Sequence, residues 1–318
     1  MARYIDPPRD IGDGLLGVEK PARYTGGEAG RLARKDAALQ TVIAFPDVYE
    51  IGMSNYALKI IYNRLNALPG VSCDRAFAPA PDFEALIKEK AVPLYALDTG
   101  LVLHDADVLM FTIGYELSAT ALLAMLAAAC IPPRSERRSE RDPLVVAGGV
   151  GVSNPLPFSA FIDVFWIGEA EAGFFELIAE ARALKERGAD RAALAAHFRA
   201  HPAVWYAGKQ PARPGGQAAR RAVWAGFSRE LSAAVYPIPS MRIVQQHGYV
   251  EIMRGCPNGC RFCHAGIWYR PMRQKDAALV VREVDAYVQK TGIREISLSS
   301  LSSADYNGIG LLIDKLHA

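Results

Sequence analysis

Short apolar runs alternate with segments of helical spacing between residues 41 and 187. Near-continuous apolar runs predict strands over 41–45, 72–77, 108–113, 144–147 and 164–167. Apolar residues that recur every three or four positions predict helices over 55–68, 81–90, 118–130 and 171–186. Strands without polar alternation are typical of parallel sheets covered on both faces by helices. We therefore predict an α/β domain over 41–187, built on a doubly wound parallel sheet of the Rossmann type.

The segments on either side of this domain have a weaker pattern. Residues 1–40 are rich in Gly, Pro, Arg and Lys and lack a clear period, which predicts an extended lead-in with one short helix. Residues 188–246 contain a Pro- and Gly-rich stretch at 211–216, which predicts a linker with a short helix near 192–199.

The alternation returns over residues 247–318, which we predict to be a second domain. Its strands are expected at 248–253 and 295–298, and its helices at 276–290 and 304–316. This is the pattern of two strand-helix units.

Composition excludes several classes of protein. The chain has 36 Lys and Arg against 34 Asp and Glu, so no overall field attracts nucleic acid or anionic membrane. The N-terminus lacks the apolar core of a signal peptide, and the most apolar predicted helix is too short to span a bilayer. Cys73 and Cys130 stand alone in apolar stretches, which predicts core residues rather than a disulfide. We expect a cytoplasmic protein with no membrane partner, for which nucleic acid enters only as a substrate.

The other three cysteines, Cys256, Cys260 and Cys263, lie close together in a loop rich in Gly and Pro. Thiolates are soft ligands that suit zinc or iron-sulfur clusters. A zinc site with His264 as fourth ligand is one alternative, but zinc sites often combine two short cysteine hooks, and the chain has no second hook. Three thiolates leave one corner of a 4Fe-4S cluster open for another ligand.

This loop resembles the cluster loop of the radical S-adenosylmethionine (SAM) superfamily. The shared features are the Cys256-x3-Cys260-x2-Cys263 spacing, Phe262 before the third cysteine, and a position between a strand and a helix. The resemblance implies that the three cysteines bind a 4Fe-4S cluster, that SAM chelates the open iron, and that Phe262 lies near the adenine. It also implies reductive cleavage of SAM to methionine and a 5'-deoxyadenosyl radical, with an electron donor such as flavodoxin or ferredoxin.

The resemblance further implies a partial (β/α)6 TIM-like barrel, of which residues 247–318 form the first two βα units. Residues downstream or a partner chain would complete the barrel. Family members place a Gly-Gly-Glu-like stretch after the second barrel strand to hold the SAM amino group, whereas this chain is rich in serine there. Ser299 and Ser300 are the candidate SAM contacts. The alternative is a serine-rich helix start with Ser303 as the cap.

The order of the two domains resembles the subgroup of this superfamily that carries an N-terminal cobalamin (B12)-binding-like domain. Loops of that subgroup read RGCxxGCRFCxxG followed by YRP, as residues 254–266 and 269–271 do. Cobalamin modules often carry D-x-H-x-x-G after the first strand, where this chain has Asp47, Tyr49 and Gly52. Tyr49 thus replaces the histidine ligand of cobalt, and a neutral phenol is a poorer metal ligand than imidazole.

A ligand of such a sheet is expected in the crevice at the carboxyl ends of the strands. Ser118, Gly148 and Gly149 follow later strands and complete the candidate cobalamin-like crevice. The alternative is that Gly148, Gly149 and Gly168 only form tight turns.

We expect a radical SAM enzyme of unknown substrate, with RNA modification and methyl or sulfur transfer as candidate reactions. The alternative is a non-catalytic ligand-binding or structural protein with an incomplete iron-sulfur or zinc module, because two strand-helix units cannot close a six-unit barrel. A third hypothesis is that Tyr49 excludes cobalamin and that the front domain only shapes the substrate site.

Overall fold

The chain folds into two compact units, seen here in a computed structural model that describes residues 2–211, 218–231 and 237–317. The first unit comprises Met1–Val223 and Tyr236–Val244, and the second comprises Trp224–Val235 and Gln245–Ala318. Most of the Pro- and Gly-rich stretch predicted within the linker lies outside the described residues.

The first unit is a six-stranded sheet with connecting helices. Its strands are β1 (Leu39–Phe45), β2 (Val71–Phe77), β3 (Val108–Thr112), β4 (Leu144–Gly148), β5 (Val164–Trp166) and β6 (Val204–Trp205). Its helices are α1 (Pro7–Asp10), α2 (Tyr49–Gly52), α3 (Tyr56–Asn66), α4 (Pro81–Glu89), α5 (Ala119–Ala128), α6 (Phe174–Glu186) and α7 (Arg191–Ala200).

The strand order is β2-β1-β3-β4-β5-β6, and every pair is parallel except β5 with β6. The order of the first five strands is that of flavodoxin-like sheets, in which the direction of winding changes between β1 and β3. The predicted parallel sheet is confirmed, because apolar runs mark strands whose two faces are both covered. The antiparallel edge strand β6, only two residues long, was not predicted.

The lead-in was predicted wrongly, because residues 2–38 pack against the sheet unit. They contain α1 and 3-10 turns at Gly12–Gly17 and Pro21–Arg23. Ile5 and Tyr24 are buried against distant segments: the Ile5 amide donates to the Gly100 carbonyl at 2.7 Å, and the Tyr24 ring stacks on Phe83 at 3.6 Å. Such contacts leave no periodic signal in the sequence.

The segment predicted as the start of a linker continues the first unit. The predicted short helix is α7, and Asp190 caps it by accepting a hydrogen bond from the Ala193 amide at 2.8 Å. Beyond β6, Ala222 bonds on both sides of Gly168, with its amide 2.8 Å from the Ile167 carbonyl and its carbonyl 3.0 Å from the Glu169 amide.

The two isolated cysteines differ in their positions. Cys73 is buried in β2, as predicted, but Cys130 is exposed with a positive φ of 59°. Cys130 lies just after the end of α5, in the left-handed conformation that often ends a helix, so the apolar helix that precedes it does not enclose its side chain.

Within its described residues, 224–231 and 245–317, the second unit contains two small sheets and three α-helices. Its strands are β7 (Gly248–Glu251), β8 (Met253–Arg254), β9 (Arg273–Gln274) and β10 (Ile296–Ser299), and its helices are α8 (His264–Trp268), α9 (Ala277–Thr291) and α10 (Ile309–His317). Strands β7 and β10 are parallel, and β8 and β9 are antiparallel. The core consists of Val250, Ile252, Met253, Val280, Tyr306 and Leu312.

Two predicted elements of this unit are corrected by the structure. The strand predicted over 248–253 is divided at Ile252, whose amide donates to the Ser299 carbonyl while its carbonyl accepts from the Lys275 amide. The last helix begins at Ile309 rather than at residue 304, because Gly308 adopts a positive φ of 83° that interrupts it. A 3-10 turn occupies Ser303–Asp305, and its cap position is Ser302 rather than Ser303.

None of the helices within the described ranges is both long enough and apolar enough to cross a bilayer.

Candidate functional site

The cysteine loop is closed at its base by the β8–β9 pair, in which Arg254 lies opposite Arg273. Gly255 begins the loop with a positive φ of 84°. A Cβ atom added there would lie 2.6 Å from the Tyr269 carbonyl oxygen and 3.0 Å from the Pro271 carbonyl oxygen. The loop therefore requires glycine at this position, both for the conformation and for the close approach of the returning chain.

All three loop cysteines are free thiols that solvent reaches, Cys260 most of all. Cys263 caps α8, and its Sγ accepts a hydrogen bond from the Gly266 amide at 3.3 Å. The Cys256 Sγ accepts one from the Asn258 side-chain amide at 3.5 Å. Hydrogen bonds to the sulfurs are among the factors that set the reduction potential of an iron-sulfur cluster. The chemistry of this donor set therefore fits an iron-sulfur cluster.

Within residues 2–211, 218–231 and 237–317, no group of three or more His, Cys, Asp or Glu side chains is arranged to hold a single metal ion. The sulfurs that bind a 4Fe-4S cluster are each attached to a different iron, so they need not converge on one point.

Phe262 projects from the loop with 92% of its surface exposed. It lies immediately before Cys263, on the accessible side of the loop, where a flat ligand can stack on it.

Ser299 is the last residue of β10 and Ser300 follows it, and both candidate serines are hydrogen-bonded within the protein. The Ser299 hydroxyl bonds to the Tyr249 hydroxyl, and the Ser300 Oγ lies 2.8 Å from the Ser303 Oγ. The Ser299 carbonyl also accepts a bond from the Ile252 amide at 2.9 Å. Their hydroxyls therefore already have protein partners.

One contact, which has no signature in the sequence, joins the cysteine loop to the turn after β10. The Asn258 Nδ2 donates to the Asp305 Oδ2 at 2.8 Å, and the same carboxylate oxygen accepts from the Ser302 Oγ at 2.7 Å. This contact brings the segment of the candidate SAM serines next to the candidate cluster ligands.

A charged layer supports the base of the loop. Arg254 makes a two-point ion pair with Glu251, at 3.1 and 2.7 Å, and its guanidinium lies 4.8 Å from the centre of the Phe227 ring. Lys275 and Glu283 are fully buried, with the Lys275 Nζ 2.7 Å from both carboxylate oxygens. Burial lowers the pKa of Lys275, and the Glu283 carboxylate offsets part of that effect. These contacts fix β8 and β9, from which the loop extends.

In the first unit, Tyr49 lies on α2 and is only 1% exposed. Its hydroxyl donates to the Glu28 Oε1 at 2.9 Å, and Arg75 holds both oxygens of Glu28 at 3.1 Å while also contacting Asp98. Burial raises the pKa of the Tyr49 hydroxyl, and the neighbouring Glu28 charge raises it further. Tyr49 is thus a neutral phenol directed at a buried carboxylate, which does not fit the role of a cobalt ligand.

Asp47 and Gly52, the other two candidate residues in the segment after β1, also make local contacts. The Asp47 Oδ1 accepts from the Val48 amide at 2.8 Å. A Cβ atom added at Gly52 would lie 2.4 Å from the Phe77 ring. Gly52 therefore has a packing role.

The later crevice residues divide into two kinds. Gly149 has a positive φ of 105°, and an added Cβ atom would lie 2.4 Å from the Ile113 carbonyl oxygen. Gly168 is confined in the same way by Ala222, at 2.2 Å. Gly148, by contrast, has no atom nearer than 4.0 Å to an added Cβ atom, and Ser118 is buried at the start of α5. Close packing of the chain explains Gly149 and Gly168, and only Gly148 leaves space beside the backbone.

Comparisons with known proteins match both units. The family model described as "Radical SAM proteins, N-terminal" matches residues 57–206, and the model described as "Radical SAM superfamily" matches residues 250–318. A tRNA-2-methylthio-N(6)-dimethylallyladenosine synthase from Petrotoga mobilis is 31% identical over 74 residues, which are 23% of this chain and 17% of that protein.

A solved structure of similar fold is the radical S-adenosylmethionine methyltransferase TsrM from Kitasatospora setae, with cobalamin and a [4Fe-4S] cluster bound. The match has a TM-score of 0.52 at 17% sequence identity, and it covers 88% of this chain and 50% of that one. The chain therefore spans half the length of this structural relative and less than a fifth of the curated relative. The cysteine loop lies inside the second matched region, so the resemblance to the radical SAM superfamily is confirmed.

Proposed function

We propose that this chain is the cluster-bearing part of a radical SAM enzyme and that Cys256, Cys260 and Cys263 bind a 4Fe-4S cluster. The observation that carries the proposal is the set of three free, accessible thiols in one closed loop, two of which accept N–H hydrogen bonds. When bound, the cluster supplies one electron from an external reductant, which cleaves SAM to methionine and a 5'-deoxyadenosyl radical.

Residues of this chain position the proposed cluster. Gly255 and the β8–β9 pair bring the two ends of the loop together, and the ion pair of Arg254 with Glu251 fixes the strand that enters it. Phe262 presents an exposed ring on which the adenine of SAM can stack. Because the hydroxyls of Ser299 and Ser300 already have protein partners, we expect the backbone of this segment to bind the SAM amino group.

Exposure of Cys260 suits electron transfer from a donor protein such as flavodoxin or ferredoxin, because a short path from surface to cluster speeds the transfer. The free state of all five cysteines suits a reducing cytoplasm.

We infer that the first unit is a cobalamin-binding-like module, on the strength of its flavodoxin-like strand order. The relative TsrM was solved with cobalamin bound. In this chain Tyr49 is bonded to Glu28 and offers no ligand to cobalt, so we assign cobalamin no step in the reaction. The substrate class follows the relatives named above: modification of RNA, or transfer of a methyl or sulfur group.

The proposal is tested by anaerobic reconstitution of the chain with iron and sulfide, followed by reduction in the presence of SAM. We expect about four irons per chain, as a 4Fe-4S cluster requires, together with 5'-deoxyadenosine in the products. Cys256→Ala, Cys260→Ala and Cys263→Ala should each abolish both. Cys130→Ala is the matched control and should retain both, because Cys130 is an exposed cysteine of the first unit. Equal iron content in the loop variants and the control would refute the proposal.

A non-catalytic role is the second candidate, and the surface of the second unit favours it. Leu311 and Ile313 on α10 are exposed, and β10 pairs with β7 on only one side among the described residues. We infer that a further strand and helix, from a longer form of the chain or from a partner, would cover these groups and extend the two βα units toward a (β/α)6 barrel. A chain that binds iron but forms no 5'-deoxyadenosine, even when such a segment is supplied, would support the non-catalytic role.

A further inference from the structure

Asn258 lies between the first two loop cysteines and makes two hydrogen bonds with one side-chain nitrogen. Its Nδ2 is 3.5 Å from the Cys256 Sγ and 2.8 Å from the Asp305 Oδ2. The nitrogen carries two hydrogens, so it can donate to both acceptors at once. Both partners are acceptors, and this fixes the orientation of the amide. In the flipped orientation the amide oxygen would face the Asp305 carboxylate and repel it.

We propose that Asn258 tunes the reduction potential of the cluster through its bond to Cys256, and that Asp305 is the positioning residue that holds the Asn258 amide in place. This inference rests on the proposed function, because it requires Cys256 to be a cluster ligand.

The direction of the effect follows from charge. One-electron reduction adds negative charge to the cluster and its thiolates, and hydrogen bonds to the sulfurs are among the factors that set the potential of such a cluster. An N–H donor stabilises the more negative state more strongly. Asn258 should therefore make the cluster easier to reduce than a loop without this donor.

Asp305 is well placed to hold the amide. Its Oδ2 accepts from Asn258 and also from the Ser302 hydroxyl, so the carboxylate is fixed from two sides. In an exposed loop the Asn258 side chain would otherwise rotate freely in solvent, and a bond to sulfur at 3.5 Å is too weak to restrain it alone.

The test is a potentiometric measurement, followed by EPR, on the full chain reconstituted with iron and sulfide. Asn258→Leu keeps the shape of the side chain and removes its N–H donors. We expect a full complement of iron and a reduction equilibrium less favourable by about tenfold, which is a midpoint more negative by about 59 mV for one electron. Asn307→Leu is the matched control: Asn307 is an exposed asparagine near the same turn, and its own backbone atoms, not its side chain, bond to the Gln274 side chain.

A double-mutant cycle tests the role of Asp305. If Asp305 acts by holding the amide, the shift caused by Asn258→Leu should nearly disappear in an Asp305→Leu background. An equal shift in both backgrounds would refute the role of Asp305.

The remaining outcomes separate this inference from the proposed function. An unchanged potential in Asn258→Leu, whether or not iron content falls, would overturn the tuning role and leave the cluster assignment intact. Failure of the wild-type chain to bind a cluster would overturn both. The inference is supported only if the midpoint reduction potential becomes more negative in Asn258→Leu and is unchanged in Asn307→Leu.

Discussion

The turn after β1 and the cysteine loop both carry sequence patterns of cofactor sites, but their polar groups are used in opposite ways. In the turn, the Tyr49 hydroxyl is bonded to a buried carboxylate that Arg75 holds from the other side. In the loop, the three thiols are accessible, and two of them, Cys256 and Cys263, accept hydrogen bonds from N–H groups. The polar group of the turn is used in bonds that stabilise the fold, whereas the thiols of the loop remain available to bind a cofactor.

This difference shows that a motif position is available for a cofactor only where the fold leaves its reactive atom unused. The partner of Tyr49 is Glu28, which belongs to the packed lead-in. A residue far from the motif in sequence thus decides what the motif position can do.

Removal of Arg75 should give the largest effect on stability. Arg75→Met leaves the carboxylates of Glu28 and Asp98 buried without a counter-charge, so we expect a loss of about 3–5 kcal/mol in the free energy of unfolding. Arg182→Met is the matched control, because its ion pair with Glu186 lies near the surface and is worth at most about 1 kcal/mol. Urea unfolding followed by circular dichroism measures both. If Arg75→Met lowers the free energy of unfolding no more than the control does, the buried ion pairs of Arg75 do not stabilise the fold as proposed.

Gly255→Ala should lower the free energy of unfolding by about 2–3 kcal/mol, because the new side chain would have both a positive φ and a close contact. We expect a matching fall in iron bound after reconstitution. Gly259→Ala is the control within the same loop, because an added Cβ atom there meets nothing within 4 Å. Normal iron binding by Gly255→Ala would show that closure of the loop base does not control the cluster ligands.

The attachment of the lead-in to α2 should depend on pH. Burial alone would raise the pKa of Glu50, but hydrogen bonds from Arg23 and Lys20 outweigh it and lower the pKa from 4.5 to about 2. A lowered pKa gives stability that is complete above the unfolded value and is lost as the pH falls. The free energy of unfolding of the wild type should therefore exceed that of Glu50→Gln by about 1–2 kcal/mol at pH 7. This difference should vanish as the pH falls from 4.5 to about 2.

Glu89→Gln is the control for the pH series, because the Glu89 side chain is exposed and its carboxylate lies 3.9 Å from the Lys90 Nζ. A difference between wild type and Glu50→Gln that does not change with pH would argue against this ion pair.

Tyr49→Phe should give the smallest effect, about 1 kcal/mol, because it removes one hydrogen bond while Arg75 still holds Glu28. The visible spectrum of the chain mixed with hydroxocobalamin should be the same for wild type and Tyr49→Phe. A spectral change that depends on the Tyr49 hydroxyl would show that the phenol reaches cobalt. Tyr115→Phe, at an exposed tyrosine, is the control for stability.

The sequence predicted the parts of the fold that depend on local pattern. The five parallel strands follow from apolar runs, and Cys73 is buried because it lies in one of them. The packed lead-in was missed because its contacts are with residues far away in the chain, such as Ile5 with Gly100 and Tyr24 with Phe83. Cys130 was misplaced because a residue just beyond an apolar helix looks the same in sequence whether its side chain is buried or exposed.

The candidate site divides in the same way. The spacing of Cys256, Cys260 and Cys263 is a local property, so the sequence was sufficient to identify the loop. The bond of Asn258 to Asp305 joins residues far apart in the chain, and the Tyr49 contact with Glu28 does too. Neither has a local signature, because both depend on how separate elements pack.

The most direct measurement is the EPR spectrum of the reduced, reconstituted chain with and without SAM. Three cysteine ligands leave one iron of a 4Fe-4S cluster open, so SAM should change the spectrum, and the triple variant Cys256→Ala, Cys260→Ala, Cys263→Ala should give no cluster signal. A cluster signal that persists in the triple variant, or a wild-type signal that SAM leaves unchanged, would contradict the assignment of this loop as a SAM-binding cluster site.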